Sequence, residues 1–147
     1  MMRTNAAVGG EGLLPAIAEA GKAAAASDVV ALLRDPWRST VMGAWLALLF
    51  PCVEVRDALR HALTSSHGSL DAPPLATASV ILLGDDAVGA LQDYSASDVA
   101  NGWGACGFVA AAIERLGVVP SVCSPSDTDR QEFAVMFKLA ERLHGLR

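Results

Sequence analysis

Residues 32–51, "LLRDPWRSTVMGAWLALLFP", pose the question on which the fold turns: the run is greasy enough for a bilayer, yet Arg34, Asp35 and Arg38 stand near its start. From Ser39 to Val53 it is uncharged for fifteen residues, broken by Pro51, whereas a spanning helix needs about 20 consecutive apolar residues. It is too short to cross. Its spacing is helical: Trp37, Val41, Ala44, Trp45, Leu48 and Leu49 share one face of an α-helix, which predicts that the stripe is buried against protein with Trp45 in the core. Asp35-Pro36 ahead of it reads as a turn and helix start, proline pre-setting φ at the first helical position.

The same pattern continues on both sides. Residues 52–65 place Cys52, Val55, Leu59, Ala62 and Leu63 on one face and Glu54, Arg56, Asp57 and Arg60 outside it. "HGSLDAPP" punctuates, and "LATASVILLG" resumes an apolar segment. "SVILLG" alone could be a buried strand, but its Ala-rich flanks and the lack of a second such run favour helix. Asp71, Asp85 and Asp98 stand where N-caps are needed, Asp85 before "DAVGALQDY" and Asp98 before "VANGWGACGFVAAAIERLG". A C-terminal helix is expected over 126–145: Thr128 with Gln131 and Asp129 with Glu132 have capping-box spacing, and Phe133, Met136, Phe137, Ala140 and Leu143 mark its apolar face. "LLPAIAEAGKAAAA" is expected to be one helix or two short ones, with residues 1–10 loose.

A succession of short helices invites comparison with helical repeats. "ATASVILLGDDAVGALQDY", with its Ala-rich helix, Leu-Gly-Asp turn and Ala-Val start, resembles the units of bacterial HEAT-like proteins, as does the Leu-Leu-x-Asp-Pro turn of "LLRDPWRSTVMGAWLALL". With "DVANGWGACGFVAAAIERLG" the resemblance covers residues 27–117. It departs at Met42, where an Arg is usual, and at Gly102, Gly104 and Gly107, which thin out the third unit. The chain is also similar to a bacterial domain family of unknown function. The resemblance implies an all-α fold over 1–147: a HEAT-like array of about three helical hairpins plus a C-terminal capping helix.

Composition narrows the function classes. With 147 residues the chain is long enough for one real core, and its apolar half (52%) contains only 5% aromatics. Cys52, Cys106 and Cys123 are odd in number, widely spaced and never in a CxxC pair, which suits free thiols in a reducing cytoplasm. The N-terminus, interrupted by Glu11, Pro15 and Glu19, does not read as a signal peptide. From His61 to Glu114 there is no Lys or Arg, while Asp71, Asp85, Asp86, Asp93, Asp98 and Glu114 are all acidic. Such a band argues against direct nucleic-acid binding and suits a basic protein partner.

Motifs for chemistry are sparse. "GWGACG" matches G-x-G-x-x-G, but a polar turn-like segment precedes it where a dinucleotide site needs a strand, so its glycines read as close-approach positions. "NGWGACGFVAAAIERL" looks like the nucleophile segment of papain-like cysteine hydrolases, which implies Cys106 as nucleophile and His144 as base; the orienting Asn or Asp after His144 is missing. No HxxxH or HExxH spacing points to a metal, and no cofactor is expected. The leading expectation is a cytoplasmic protein-binding module without enzymatic activity: a bacterial immunity-type inhibitor that masks a basic toxin. Its partner-binding residues would be Asp85, Asp86, Asp93, Tyr94, Asp98, Trp103, Trp37 and Arg38, with no membrane contact and no assigned oligomeric state. The alternatives are the Cys106 hydrolase and a general scaffold or adaptor.

Overall fold

The computed structural model describes residues 3–147, the side chains of residues 3–5 and 7 excepted. Among the described residues the regular elements are all helical: α1 (Arg3–Ala23), α2 (Ala26–Arg34), α3 (Trp37–Ala47), α4 (Val53–Ser65), α5 (Ala72–Leu83), a 3-10 turn (Gly84–Ala87), α6 (Val88–Asn101), α7 (Cys106–Arg115) and α8 (Asp127–His144). The expected all-α class holds. Residues 3–10, expected to be loose, instead form the opening of α1, with Ala6, Leu14 and Ile17 buried. Gly9, Gly10 and Gly12 weaken the intrinsic helix there, but α1 packs along α8 and reaches α3, and tertiary packing outweighs propensity.

Helix α5 sits at the centre. Every residue from Ala72 to Leu83 except Ile81 is buried, and α5 packs against α3, α4, α7 and α8. A helix apolar all round has no face to give to water and must be enclosed. By length and composition the helical run Ala72–Asn101 would suffice to cross a membrane, but 67% of its most apolar window is buried inside the protein. The strand reading of "SVILLG" fails because Pro73 and Pro74 open the helix, and Ala76, Thr77, Ala78 and Ser79 are small enough to let neighbours close on it.

Around α5 the helices form two layers. Within the first, α2 packs on α4 and α4 on α6; within the second, α3 packs on α5 and α5 on α7. Hairpin partners α2–α3, α4–α5 and α6–α7 link the layers, and α8 lies on α5 and α7. The stripe that opened the sequence reading behaves as spaced: Val41, Ala44, Trp45 and Leu48 are buried, Leu49 half-buried, and only Trp37 stands in water. Pro36 is the N-cap of α3 and not its first helical residue, so the helix starts one residue later than expected, at Trp37; the turn is held by the Ser39 hydroxyl donating to the Asp35 carboxylate (2.7 Å) and the Thr40 hydroxyl donating to the Asp35 carbonyl (2.6 Å).

Three expected caps are revised. Asp85 lies in the exposed 3-10 turn, where no side-chain cap forms. Asp71 is at the N-cap of α5 but makes no cap bond; it accepts from the Ser66 hydroxyl at 2.7 Å. In α8 the capping box is Ser126 with Asp129, in which Asp129 Oδ2 accepts from the Ser126 N–H at 2.9 Å and the Ser126 hydroxyl accepts from the Asp129 N–H at 3.1 Å. Thr128 and Asp129 lie inside the first turn, so the expected boxes start two and three residues late.

The cysteines also depart from expectation. Cys106 and Cys123 form a disulfide across Cα atoms 6.5 Å apart, and Cys52 alone is free. Sequence spacing could not reveal the pair, because residues 116–126 double back along α7 and bring Cys123 to that helix's first residue. Closing a loop of sequence separation 17 is worth about 3 kcal/mol in the chain-entropy account.

Helices α2 and α3 meet through Gly43, where an added Cβ would lie 3.0 Å from the Leu33 backbone nitrogen and 3.1 Å from Leu32 Cβ. Neither neighbour can step aside without moving α2. Gly43→Ala is expected to lose about 1–2 kcal/mol despite alanine's better helix propensity, read as a lowered urea midpoint with an unchanged slope.

Candidate functional site

The three intra-hairpin connections, residues 35–36, 66–71 and 102–105, gather at one edge of the two layers. Between the first two opens a cleft of about 270 Å³, walled by Arg34 to Trp37 on one side and by His61, Ser65 and His67 on the other. Trp37 is 40% exposed at its rim, with the Arg38 guanidinium 5.0 Å above its ring. The His61 Nε2 lies 3.3 Å from the Ser65 hydroxyl, one helical turn away. His67 turns to the third connection and meets the Trp103 ring edge-on at 5.8 Å.

That third connection is organised by a buried carboxylate. Asp98 is 2% exposed near the end of α6, and its oxygens accept the backbone N–H groups of Gly104 (3.0 Å) and Ala105 (2.8 Å). The helix expected to run from Asp98 as its N-cap to Gly117 is broken at 102–105: Asp98 lies inside α6 and serves the start of α7 from across the turn. Gly102 (φ 68°) and Gly104 (φ 95°) supply the left-handed backbone that lets the turn curl around it, and Gly107 lets α7 close against Asp129. The glycines of "GWGACG" therefore serve a turn and a helix contact, and α6, not a strand, precedes them.

Tyr94 joins this carboxylate to the second connection. Its hydroxyl donates to the Gly68 carbonyl at 2.8 Å with Asp98 Oδ2 also in reach at 3.1 Å, and its ring lies 5.8 Å from that of Trp103. Burial, and then the adjacent Asp98 charge, push the Tyr94 phenol far above its ordinary range. The half-buried Trp103 is held between Tyr94 and His67.

The structure thus divides the residues expected to bind a partner. Trp37, Arg38, Tyr94, Asp98 and Trp103 belong to the turn edge. Asp85 and Asp86 lie at the other end of α6, about 20 Å away along a helix of 14 residues, and Asp93 is exposed between. The continuous acidic band of the sequence is not continuous in space. Asp98 is buried, Asp71 is engaged by Ser66, and Glu114 is held by a two-pronged contact from Arg130 (2.8 and 3.0 Å), whose hydrogen bonds draw its carboxyl below the usual range. Exposed negative charge with no ion pair among the described residues remains at Asp85, Asp86 and Asp93.

Cys106 and His144 are not brought together. Cys106 is disulfide-bonded near the start of α8, beside Gly107 and Asp129, whereas His144 ends that helix roughly 20 Å further on, its Nδ1 2.6 Å from the Leu48 carbonyl. Among the described residues no group of three or more His, Cys, Asp or Glu side chains gathers to hold a metal. The cleft residues Arg34, His61, Ser65 and His67 were missed as a set, because they come from two helices and a loop and no linear spacing joins them.

Two measurements probe the Tyr94–Asp98 pair. Asp98→Ala, which strands the Gly104 and Ala105 amides, is expected to cost about 3 kcal/mol or more, and Asp98→Asn less, because an amide oxygen still accepts one of them. The Tyr94 phenol's folded pKa is raised, so its stabilising contribution is complete below the ordinary tyrosine pKa near 10 and is lost as pH climbs beyond it. The free energy of unfolding, followed from pH 8 to about 11, should fall more steeply for the native chain than for Tyr94→Phe. Since Tyr94 is the chain's single tyrosine, phenolate absorbance should stay suppressed until the fold is lost.

No protein-family model, curated protein or solved structure matches this chain, so the turn edge is read from its own residues.

Proposed function

We propose that this chain is a protein-binding module, built as a HEAT-like array of three helical hairpins and capped by α8. The observation that carries the reading is Trp37, 40% exposed on the rim of the turn-edge cleft with Arg38 over its face. A large aromatic left in water beside an Arg has the composition of an interface anchor. The layer order supports the array, because each helix packs on its hairpin partner and on the matching helix of the next hairpin. Helices α1 and α8 cover much of the second layer, which leaves the outer face of α2, α4 and α6 and the turn edge for a partner.

In its narrower form the proposal is a cytoplasmic, bacterial immunity-type inhibitor of a basic toxin. Asp85, Asp86 and Asp93 are exposed, and their field would speed encounter with a cationic partner even where they make no contact. Trp37 would then govern how long the complex lasts, and the three carboxylates how fast it forms.

The test is to recover the binding partner from the native cell and measure its kinetics. Trp37→Ala is expected to raise the dissociation rate about tenfold or more with little change in association. Asp85→Asn, Asp86→Asn and Asp93→Asn together should slow association several-fold and flatten its salt dependence. One tight, salt-sensitive partner that arrests growth unless this chain is co-expressed would support the inhibitor reading. Several weak, salt-insensitive partners would replace it with an adaptor.

A further inference from the structure

The segment 116–126 connects α7 to α8; Leu116 and Val118 at its start pack against the core, and little holds the stretch 119–124 beyond them. Gln92 on α6 grips its middle: the Gln92 side-chain oxygen accepts the Ser121 N–H (3.1 Å) and hydroxyl (2.6 Å), and its amide donates to the Val119 carbonyl (3.3 Å), all in solvent. Val119 (85%) and Val122 (41%) are exposed, while Pro125 is buried just before the Ser126 cap of α8. The other fastening is the disulfide, which runs from half-buried Cys123 in the segment to buried Cys106 on α7.

We propose that the Cys106–Cys123 bond is a reversible redox clasp on this strap, opened by a dithiol reductant while the helical fold stays intact. Its two ends are unlike. Cys123 lies on an exposed connection, so an incoming thiolate can reach its sulfur; Cys106 belongs to the packed start of α7. In the first step a reductant thiolate bonds to the Cys123 sulfur, and the electron pair of the protein disulfide departs on the Cys106 sulfur. That sulfur takes a proton from water and remains as a buried thiol. In the second step the reductant's other thiolate attacks its own sulfur in the mixed disulfide and releases Cys123, which is protonated to its thiol. The reductant leaves as a disulfide, so two electrons and two protons have passed to the protein.

Opening the clasp has a local effect. The α8 cap, the Arg130–Glu114 contact and the Phe108–Phe133 packing (5.6 Å) do not depend on it, so α8 stays docked. Leu116 and Val118 stay packed on the core, but the stretch 119–124 keeps only the solvent-exposed Gln92 bonds, each of small net worth, and opens more often. Reduced Cys106 becomes a small buried hydrophobe, and Cys123 becomes the accessible thiol.

The full chain carrying Cys52→Ala, to exclude thiol shuffling, is purified oxidised and exposed to dithiothreitol without denaturant. Reduction is expected within minutes. Afterwards the Ser121 amide, whose N–H bonds Gln92, should exchange hydrogen at least about tenfold faster, while those of α5 and α8 keep their protection. A thiol-alkylating probe should then label Cys123 at least about tenfold faster than Cys106. Cys123→Ser should show the same fast-exchanging strap without any reductant. Reduction that requires denaturant, loss of protection throughout the helices, an unchanged strap, or Cys106 labelled as fast as Cys123 would each overturn the clasp.

Discussion

Helix α5 has no polar face, and the rest of the molecule is arranged by the need to enclose it. Its residues are almost uniformly apolar or small, so any side left open would expose a row of Leu, Val and Ala to water at roughly 25 cal/mol per Å². Two neighbours in its own layer, α3 and α7, leave its flanks closed but its two broad faces bare. Helix α4 covers one face as hairpin partner, and α8 covers the other. The C-terminal helix is thus a structural requirement of the central one, and its stripe of Met136, Ala140 and Leu143 is buried accordingly.

Asp98 shows how the ends of such helices are settled without side-chain caps of their own. Helix α7 begins at Cys106 with Ala105 at its N-cap, a residue with no side-chain acceptor. The missing acceptor comes from the previous helix, where burial would be costly for a carboxylate unless donors converge on it. Two backbone N–H groups do converge, and the Tyr94 hydroxyl lies in reach at 3.1 Å. Since that hydroxyl donates to the Gly68 carbonyl, Tyr94 stands between the third hairpin's turn and the second's, and Trp103 is held at the edge beside its ring.

Much of the helical framework was legible in the sequence, because helical stripes report burial wherever one face is apolar and the other polar. The core position of Trp45 and most of the faces of α4 and α8 were read in that way, although Cys52 and Phe137 are only half-buried and the stripes passed over buried Ala58 and Leu139. Helix α5 was the ambiguous element, since a segment buried on all sides loses the periodicity that separates helix from strand. The caps were legible in kind and not in place: the Ser126–Asp129 box starts two and three residues before the expected pairs, and Asp98 acts across a turn instead of along the chain. The candidate site was legible only in pieces. Trp37 and Trp103 could be singled out as aromatics at helix starts, whereas their relation to His61 and His67 depends on the packing of α2 on α4 and of α4 on α6.

The pairing of Cys106 with Cys123 stems from chain direction. Short turns within the hairpins make each partner antiparallel to the last, and one more short turn after α7 would have sent α8 back the same way. Instead α8 sets out beside the start of α7 and runs alongside it: Gly107 faces Asp129, Phe108 packs on Phe133, and the Arg115 guanidinium lies 4.6 Å over the Phe137 ring. The chain must therefore travel back the length of α7, about 15 Å for its 10 residues, before α8 begins. A return of that kind cannot be buried, because its backbone polar groups need water, so it runs exposed and must be pinned at intervals. Gln92 pins its middle and Cys106 its far end. The disulfide is placed by the same demand that places α8, and both trace back to the open face of α5.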